Sequence, residues 1–209
     1  MAASQLLPEP MPIDTFSPSF NFCQKSLIQF LKLYNRSHSV LNIDVSWDYC
    51  SKILHWAAFF GHVGVCELIM KQIDLKSPRD FLGRTPLHYA AKFGYVKVYE
   101  MIMKDVQNKN PMSNERVTPF HIAAQAGNLE VCELIIKNIK DKHPRTAHGN
   151  TPLHHAAEKD HIKICILIIQ IVRSKNPRNN YGKTPLTLAR KNEQFKVCWL
   201  LQKIWNCVT

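Results

Sequence analysis

A period of 33 residues runs through most of this 209-residue chain. His55, His88, His121 and His154 stand 33 positions apart, and Thr187 is next in the series. The tetrapeptide TPLH at 85–88 returns as TPFH at 118–121, TPLH at 151–154 and TPLT at 184–187, with a degenerate KILH at 52–55. Ala-Ala pairs at 57–58, 90–91, 123–124 and 156–157 keep the same register, and Ala189-Arg190 closes the series. Gly61, Gly94 and Gly127 follow at that interval, after which Asp160 and Glu193 replace glycine. Pro78, Pro111, Pro144 and Pro177 mark each unit again further on. A unit this short cannot bury its own apolar face, so its core has to come from stacking on its neighbours.

Each unit has a physical reading. Thr85 suits a helix N-cap, because its hydroxyl can accept from free N–H groups of the first turn. Pro86 suits the first helical position, where its missing N–H costs nothing. A short helix follows, with Leu87, Ala90 and Ala91 toward neighbours, and Gly94 ends it. A second helix runs through VKVYEMIMKDV, apolar at Val96, Val98, Met101, Ile102 and Val106. NKNPMSNERV breaks it at Pro111 and turns into the next copy.

A helix–turn–helix of 33 residues carrying T-P-L-H-x-A resembles the ankyrin-repeat family. The resemblance covers residues 47 to 209 as five repeats, about 47–79, 80–112, 113–145, 146–178 and 179–209, the first and last atypical. It implies an all-α solenoid of stacked antiparallel helix pairs, with β-hairpin loops projecting at about a right angle. Residues 1–20 hold four of the twelve prolines and no periodicity, which predicts a disordered tail. Residues 21–46 contain NFCQKSLIQFLKLYN, which predicts a helix that is either a cap on the stack or a degenerate repeat. At the other end Trp199 takes the place of Glu67, Glu100 and Glu133, a position that normally faces water. That end is either packed on something or cut from a longer product.

Charge divides the chain. Residues 1–50 carry three Lys/Arg and four Asp/Glu, a balance of −1, so residues 51–209 carry +12 against the whole chain's +11. A body this basic attracts acidic proteins, nucleic acid or anionic lipid. The N-terminus has neither a basic n-region nor a continuous apolar h-region, which argues against a secretory signal. The seven cysteines are then expected to be reduced thiols in cytoplasm or nucleus. The most apolar run, ICILIIQIV at 164–172, falls short of the roughly 20 residues that cross a bilayer.

The segment TPLHHAAEKDH with Cys165 invites a zinc reading, since His154, His155, His161 and Cys165 are competent ligands. Register dissolves the cluster. His154 is the recurrent histidine, which the resemblance implies bonds local backbone and bridges neighbouring units. Cys165 belongs with Cys66, Tyr99, Cys132 and Cys198 as a small apolar filler. His161 occupies a turn position shared with His62, Tyr95, Asn128 and Gln194. Only His155 is left, so no metal or other cofactor is expected. No phosphate loop, H-E-x-x-H or G-x-S-x-G occurs, and most Cys and His residues belong to repeat series, so no enzyme activity is expected either.

Family members commonly grip proteins with hairpin tips and the exposed face of the first helices. By register the hairpin positions here are Tyr49, Phe81, Arg84, Glu115, His148, Tyr181 and Lys183, and the first-helix positions are Phe59, Phe60, Lys92, Phe93, Glu158, Lys159 and Lys191. The N-terminal part of this surface is aromatic and the C-terminal part basic, with Arg145 and Arg178 nearby. Exposed aromatics are typical anchors, although Phe59 and Phe60 could instead pack under the N-terminal segment. These features imply a non-catalytic protein–protein interaction module, monomeric unless its apolar C-terminal end pairs, that takes an acidic or partly apolar segment on the concave face. Alternatives are a subunit of a larger ankyrin-bearing channel, enzyme or ubiquitin-ligase adaptor, and a charge-driven binder of nucleic acid or anionic membrane.

Overall fold

A computed structural model describes residues 47–71, 77–172, 174 and 176–206, within a compact unit spanning 45–209. The expected tail at 1–20 and the helix at 21–46 lie outside the described residues. Ten helices are described: α1 Trp47–Phe60, α2 Val63–Met70, α3 Pro86–Phe93, α4 Val96–Asp105, α5 Pro119–Ala126, α6 Leu129–Asn138, α7 Pro152–Glu158, α8 Ile162–Ile171, α9 Pro185–Lys191 and α10 Phe195–Asn206. They form five consecutive pairs. Each first helix packs on the first helix of the next pair, and each second helix on the next second helix.

The first row is the closer-packed of the two. Its contact surface is the Ala-Ala series, since Ala57, Ala58, Ala90, Ala91, Ala123, Ala124, Ala156, Ala157 and Ala189 are all fully buried. With only a methyl group on that face, neighbouring backbones approach closely without leaving a void. In the second helices the buried stripe of α4 is Val98, Tyr99, Ile102 and Met103, while Val96 and Met101 are only half-buried. Cys66, Cys132 and Cys165 are fully buried at the position of Tyr99, whose larger ring ends in a hydroxyl donating to the Lys109 carbonyl at 2.9 Å.

The recurrent histidine ties one pair to the next. A capping box closes the head of α3, with the Thr85 N–H donating to Nδ1 of His88 at 3.0 Å. The same box recurs at Thr118 with His121 and at Thr151 with His154. A backbone N–H can only donate, so Nδ1 is an acceptor and the proton sits on Nε2. That Nε2–H donates to the carbonyl of the residue just before the next repeat's cap. His55 reaches Arg84, His88 reaches Val117, His121 reaches Asn150 and His154 reaches Lys183, at 2.9, 3.0, 3.0 and 3.1 Å. Thr187 ends the ladder with local bonds alone, to the Thr184 N–H and carbonyl.

The connections between repeats are short, tightly turned fingers in which none of the described residues is in a β-strand. Each finger closes on two backbone bonds, such as Ser113 N–H to the Val117 carbonyl and Arg116 N–H to the Ser113 carbonyl. Single bonds join successive fingers: Asn114 N–H to Leu82, Ala147 N–H to Glu115 and Asn180 N–H to His148. One bond per junction is too few for a ladder. The first finger is also missing. Tyr49, expected at a hairpin position, lies inside α1, because the first unit has Lys52-Ile53 where the others have Thr-Pro and nothing starts its helix there.

Turn glycines serve the neighbour as well as their own helix. Gly127 has φ +83°, and a Cβ there would stand 2.6 Å from the His161 ring of the next repeat. That ring is held by Nε2 donating to the Gln125 carbonyl at 3.0 Å. Gly127→Ala should lower the unfolding free energy by about 2 kcal/mol, from left-handed strain and the displaced ring. Adding His161→Ala should make the combined loss smaller than the sum of the two single losses, because the clash is gone; urea titration of the four chains checks this.

Buried histidines make stability depend on pH. Burial pulls the His88 and His154 imidazoles down to about 4 and that of His121 to about 3. The unfolded chain therefore takes up protons first as pH falls below the ordinary histidine value near 6.5. Stability is complete above that value and is lost as pH falls from about 6.5 toward 4. With roughly 1.4 kcal/mol per pH unit for each ring, three rings should lower stability by about 4–6 kcal/mol between pH 7 and pH 5. Thermal melts that stay unchanged across that interval would contradict it.

Candidate functional site

The four residues of the zinc reading are held in separate structural roles. Both ring nitrogens of His154 are engaged, Nδ1 by Thr151 and Nε2 by Lys183. His161 bonds Gln125, and the buried Cys165 thiol is pushed up to about 12 by burial. His155 meets His121 edge to face with ring centroids 5.5 Å apart, and its two buried nitrogens have no hydrogen-bond partner among the described residues. Burial lowers its pKa, opposed by the Glu158 carboxylate, so the ring is held neutral against its neighbour. Asp160 keeps the turn conformation of the glycine it replaces, with φ +59°, and its Oδ1 accepts from Val197 N–H in the first turn of α10 at 3.2 Å. A carboxylate at a helix N-terminus is favourable, which offsets the strain expected from losing glycine.

Phe59, Phe60 and Phe93 come together on α1 and α3. Phe59 lies 4.7 Å from Phe60 and 4.5 Å from Phe93, all edge to face, and 6.0 Å from Tyr89. The Lys92 ammonium sits 5.3 Å from the Phe93 ring centre. Phe93 remains 38% exposed and Phe59 and Phe60 are half-buried, so the group is packed edge on edge with part of each ring open to solvent. Tyr89 is tied down by its hydroxyl, which donates to Asp80 at 2.6 Å.

On the fingers, Phe81 is 80% exposed and Tyr181 67% exposed. The Tyr181 hydroxyl lies 3.2 Å from His148 Nδ1, which pairs the tips of the last two fingers. Glu115, Lys159, Lys183 and Lys191 are exposed, and Glu158 and Arg84 are half-buried. Phe59, Phe60, Phe81 and Phe93 thus belong to the first two repeats, whereas Tyr181 shares the last two with Lys159, Lys183 and Lys191.

Two arginines that register places near the basic end are structural. Arg145 Nη1 donates to the Gly149 carbonyl of its own finger at 3.1 Å and to the Arg178 carbonyl of the next at 2.8 Å. Arg79 makes the same pair of bonds to Gly83 and Met112, and Arg178 bonds Gly182. Another series went unread. Asp80, Ser113, Thr146 and Asn179 open the four fingers, each accepting with its side chain from the N–H four residues on. Both sets keep the 33-residue register, the arginines with Met112 in one place, and are composed of turn-forming or hydrogen-bonding types, so the period itself contained the signal.

No described helix is long and apolar enough to cross a membrane. No curated protein matches the chain. A comparison with protein-family models matches it to ankyrin repeats, in three copies over residues 20–113, 100–178 and 120–207. Those stretches overlap into one span that contains the five helix pairs and the histidine-capped heads, and on that agreement the chain belongs to the ankyrin-repeat family.

Proposed function

We propose that this protein is a non-catalytic interaction module that holds an acidic, partly apolar protein segment against its first helices and fingers. Ankyrin repeats generally mediate protein–protein interaction. The observation that carries the reading is the partly exposed group of Phe59, Phe60 and Phe93 beside Lys92. Preassembled rings lose little conformational freedom on binding, and aromatic anchors dominate the energetics of many interfaces. Lys159, Lys183 and Lys191 supply positive charge further along, suited to carboxylates. Buried free thiols at Cys66, Cys132 and Cys165 suit a reducing compartment, cytoplasm or nucleus.

Affinity capture compares the wild-type chain with a Phe93→Ala, Lys159→Glu double variant of unchanged melting temperature. Specific partners should be recovered at least about tenfold less by the variant. Equal recovery would show that the mapped surface is not the binding surface. A second reading follows from the +12 carried by residues 51–209, which favours charge-driven association with nucleic acid or anionic lipid. On that reading, duplex DNA binding should fall steeply between low and physiological salt, whereas recognition anchored on the aromatic group should weaken much less, by the share its lysines contribute.

A further inference from the structure

The outer face of the second helices changes character along the stack. Three columns of residues tell the change at intervals of 33. The first reads Glu67, Glu100, Glu133 and then Ile166 and Trp199. The second reads Val63, Val96, Leu129, Ile162 and Phe195, and the third Lys71, Lys104, Lys137, Gln170 and Lys203. In the early repeats glutamate and lysine pair across one turn, Glu67 with Lys71 at 2.9 Å and Glu100 with Lys104 at 3.2 Å. That arrangement gives a solvated, charge-balanced surface.

In the last two repeats the glutamates are gone. Phe195 is 78% exposed, Trp199 67% and Ile166 38%. With Ile162, Lys196 and Leu200 they line an open groove of about 450 Å³ between α8 and α10. Lys203, whose counterparts pair with glutamate, instead stands 5.1 Å from the Trp199 ring centre. Lys196 lines the groove, Lys163 holds the same register position one repeat earlier, and both are exposed. The Asp160 carboxylate is occupied by Val197 N–H, which leaves Glu193 as the exposed carboxylate beside these lysines in sequence.

From this geometry we infer that the groove between α8 and α10 is a second docking surface, on the opposite side of the helix pairs from the first-helix face, and that its occupant is an acidic amphipathic helix of another protein. A trough between two parallel ridges of side chains accepts a third helix, apolar residues at i, i+3 or i+4 entering between Ile166 and Trp199. Carboxylates flanking those anchors meet Lys163, Lys196 and Lys203, of which Lys203 stands where Lys71 and Lys104 have a glutamate one turn back. A second copy of this chain is disfavoured, because pairing the same groove would set lysine against lysine. A lipid surface would take the protruding Phe195 and Trp199 but leave the trough between them and Ile166 unfilled, whereas a helix fills it.

The test uses the full chain and a fluorescent helical peptide of about four turns, with leucine and tryptophan on one face and glutamate on both flanks, beside a twin with lysine for glutamate. The acidic peptide should saturate in the micromolar range, and Trp199→Glu should weaken it at least about tenfold. Reversing Lys163, Lys196 and Lys203 to glutamate should transfer preference to the basic twin. All four positions are exposed, so unchanged melting curves confirm that the variants are folded. The proposal fails if neither peptide binds, or if binding ignores these substitutions. It fails equally if sedimentation shows a dimer that Trp199→Glu dissociates. Trp199-dependent binding to phosphatidylserine vesicles, without binding to the acidic peptide, would assign the groove to lipid instead. Phe93→Ala, which alters only the first-helix surface, should leave peptide binding unchanged, so failure of one surface is distinguishable from failure of the other.

Discussion

The imidazole at the head of each first helix is the joint on which the rest of the stack depends. Its Nδ1 satisfies the N–H of the capping threonine, and its Nε2–H crosses to the neighbouring repeat. One side chain thus starts its own helix and sets the distance to the next. Both functions need the neutral ring with its proton on Nε2, and burial maintains that state. The alanine faces can close tightly only because this bond brings each backbone to one depth. At Thr187 there is no further repeat to reach, and a residue with only a short hydroxyl keeps the cap and drops the bridge.

Much of this was legible because each residue type is read several times. Ala-Ala, Thr-Pro and the cysteine column recur in register, and a physical role has to explain every copy at once. The histidine cluster at 151–161 illustrates the gain, since register separates four neighbouring ligands into four roles. Positions read only once were harder. Tyr49 was placed on a finger by register alone, but helix initiation is local chemistry, and without Thr-Pro at 52–53 Tyr49 is already helical. Asp160 reads in the sequence only as a replaced glycine, because its contact with Val197 crosses between repeats and depends on side-chain direction. Arg145 looked like free charge for the same reason. Its partners are carbonyls, which carry no sequence signature.

What remains after these structural roles are subtracted is a more selective surface than composition suggests. Arg79, Arg145 and Arg178 are occupied with finger carbonyls, and Lys71 and Lys104 with glutamates. The lysines without such a partner among the described residues are spread along the stack, Lys97, Lys137 and Lys140 in the middle repeats and Lys159, Lys183, Lys191 and Lys196 in the last two. The aromatic residues of the first two pairs already contact one another, which limits how far they can adapt to a partner and favours ligands that match their spacing.

The fingers also carry information about the order of the repeats. A Cβ on Gly83 or Gly149 would stand 2.2 or 2.3 Å from the amide oxygen of Asn114 or Asn180 in the following finger. Arg116 occupies the corresponding place in the finger between them, and the residue that follows it there is Ala147, which has no amide to obstruct. Each finger is thus matched to its successor. Excising residues 113–145 would set Ala147 beside Gly83, which loses a bond but creates no collision. Excising 146–178 would set Asn180 against Arg116, with no room for both. Units that look interchangeable by their shared letters can be lost by recombination at one junction and not at the next.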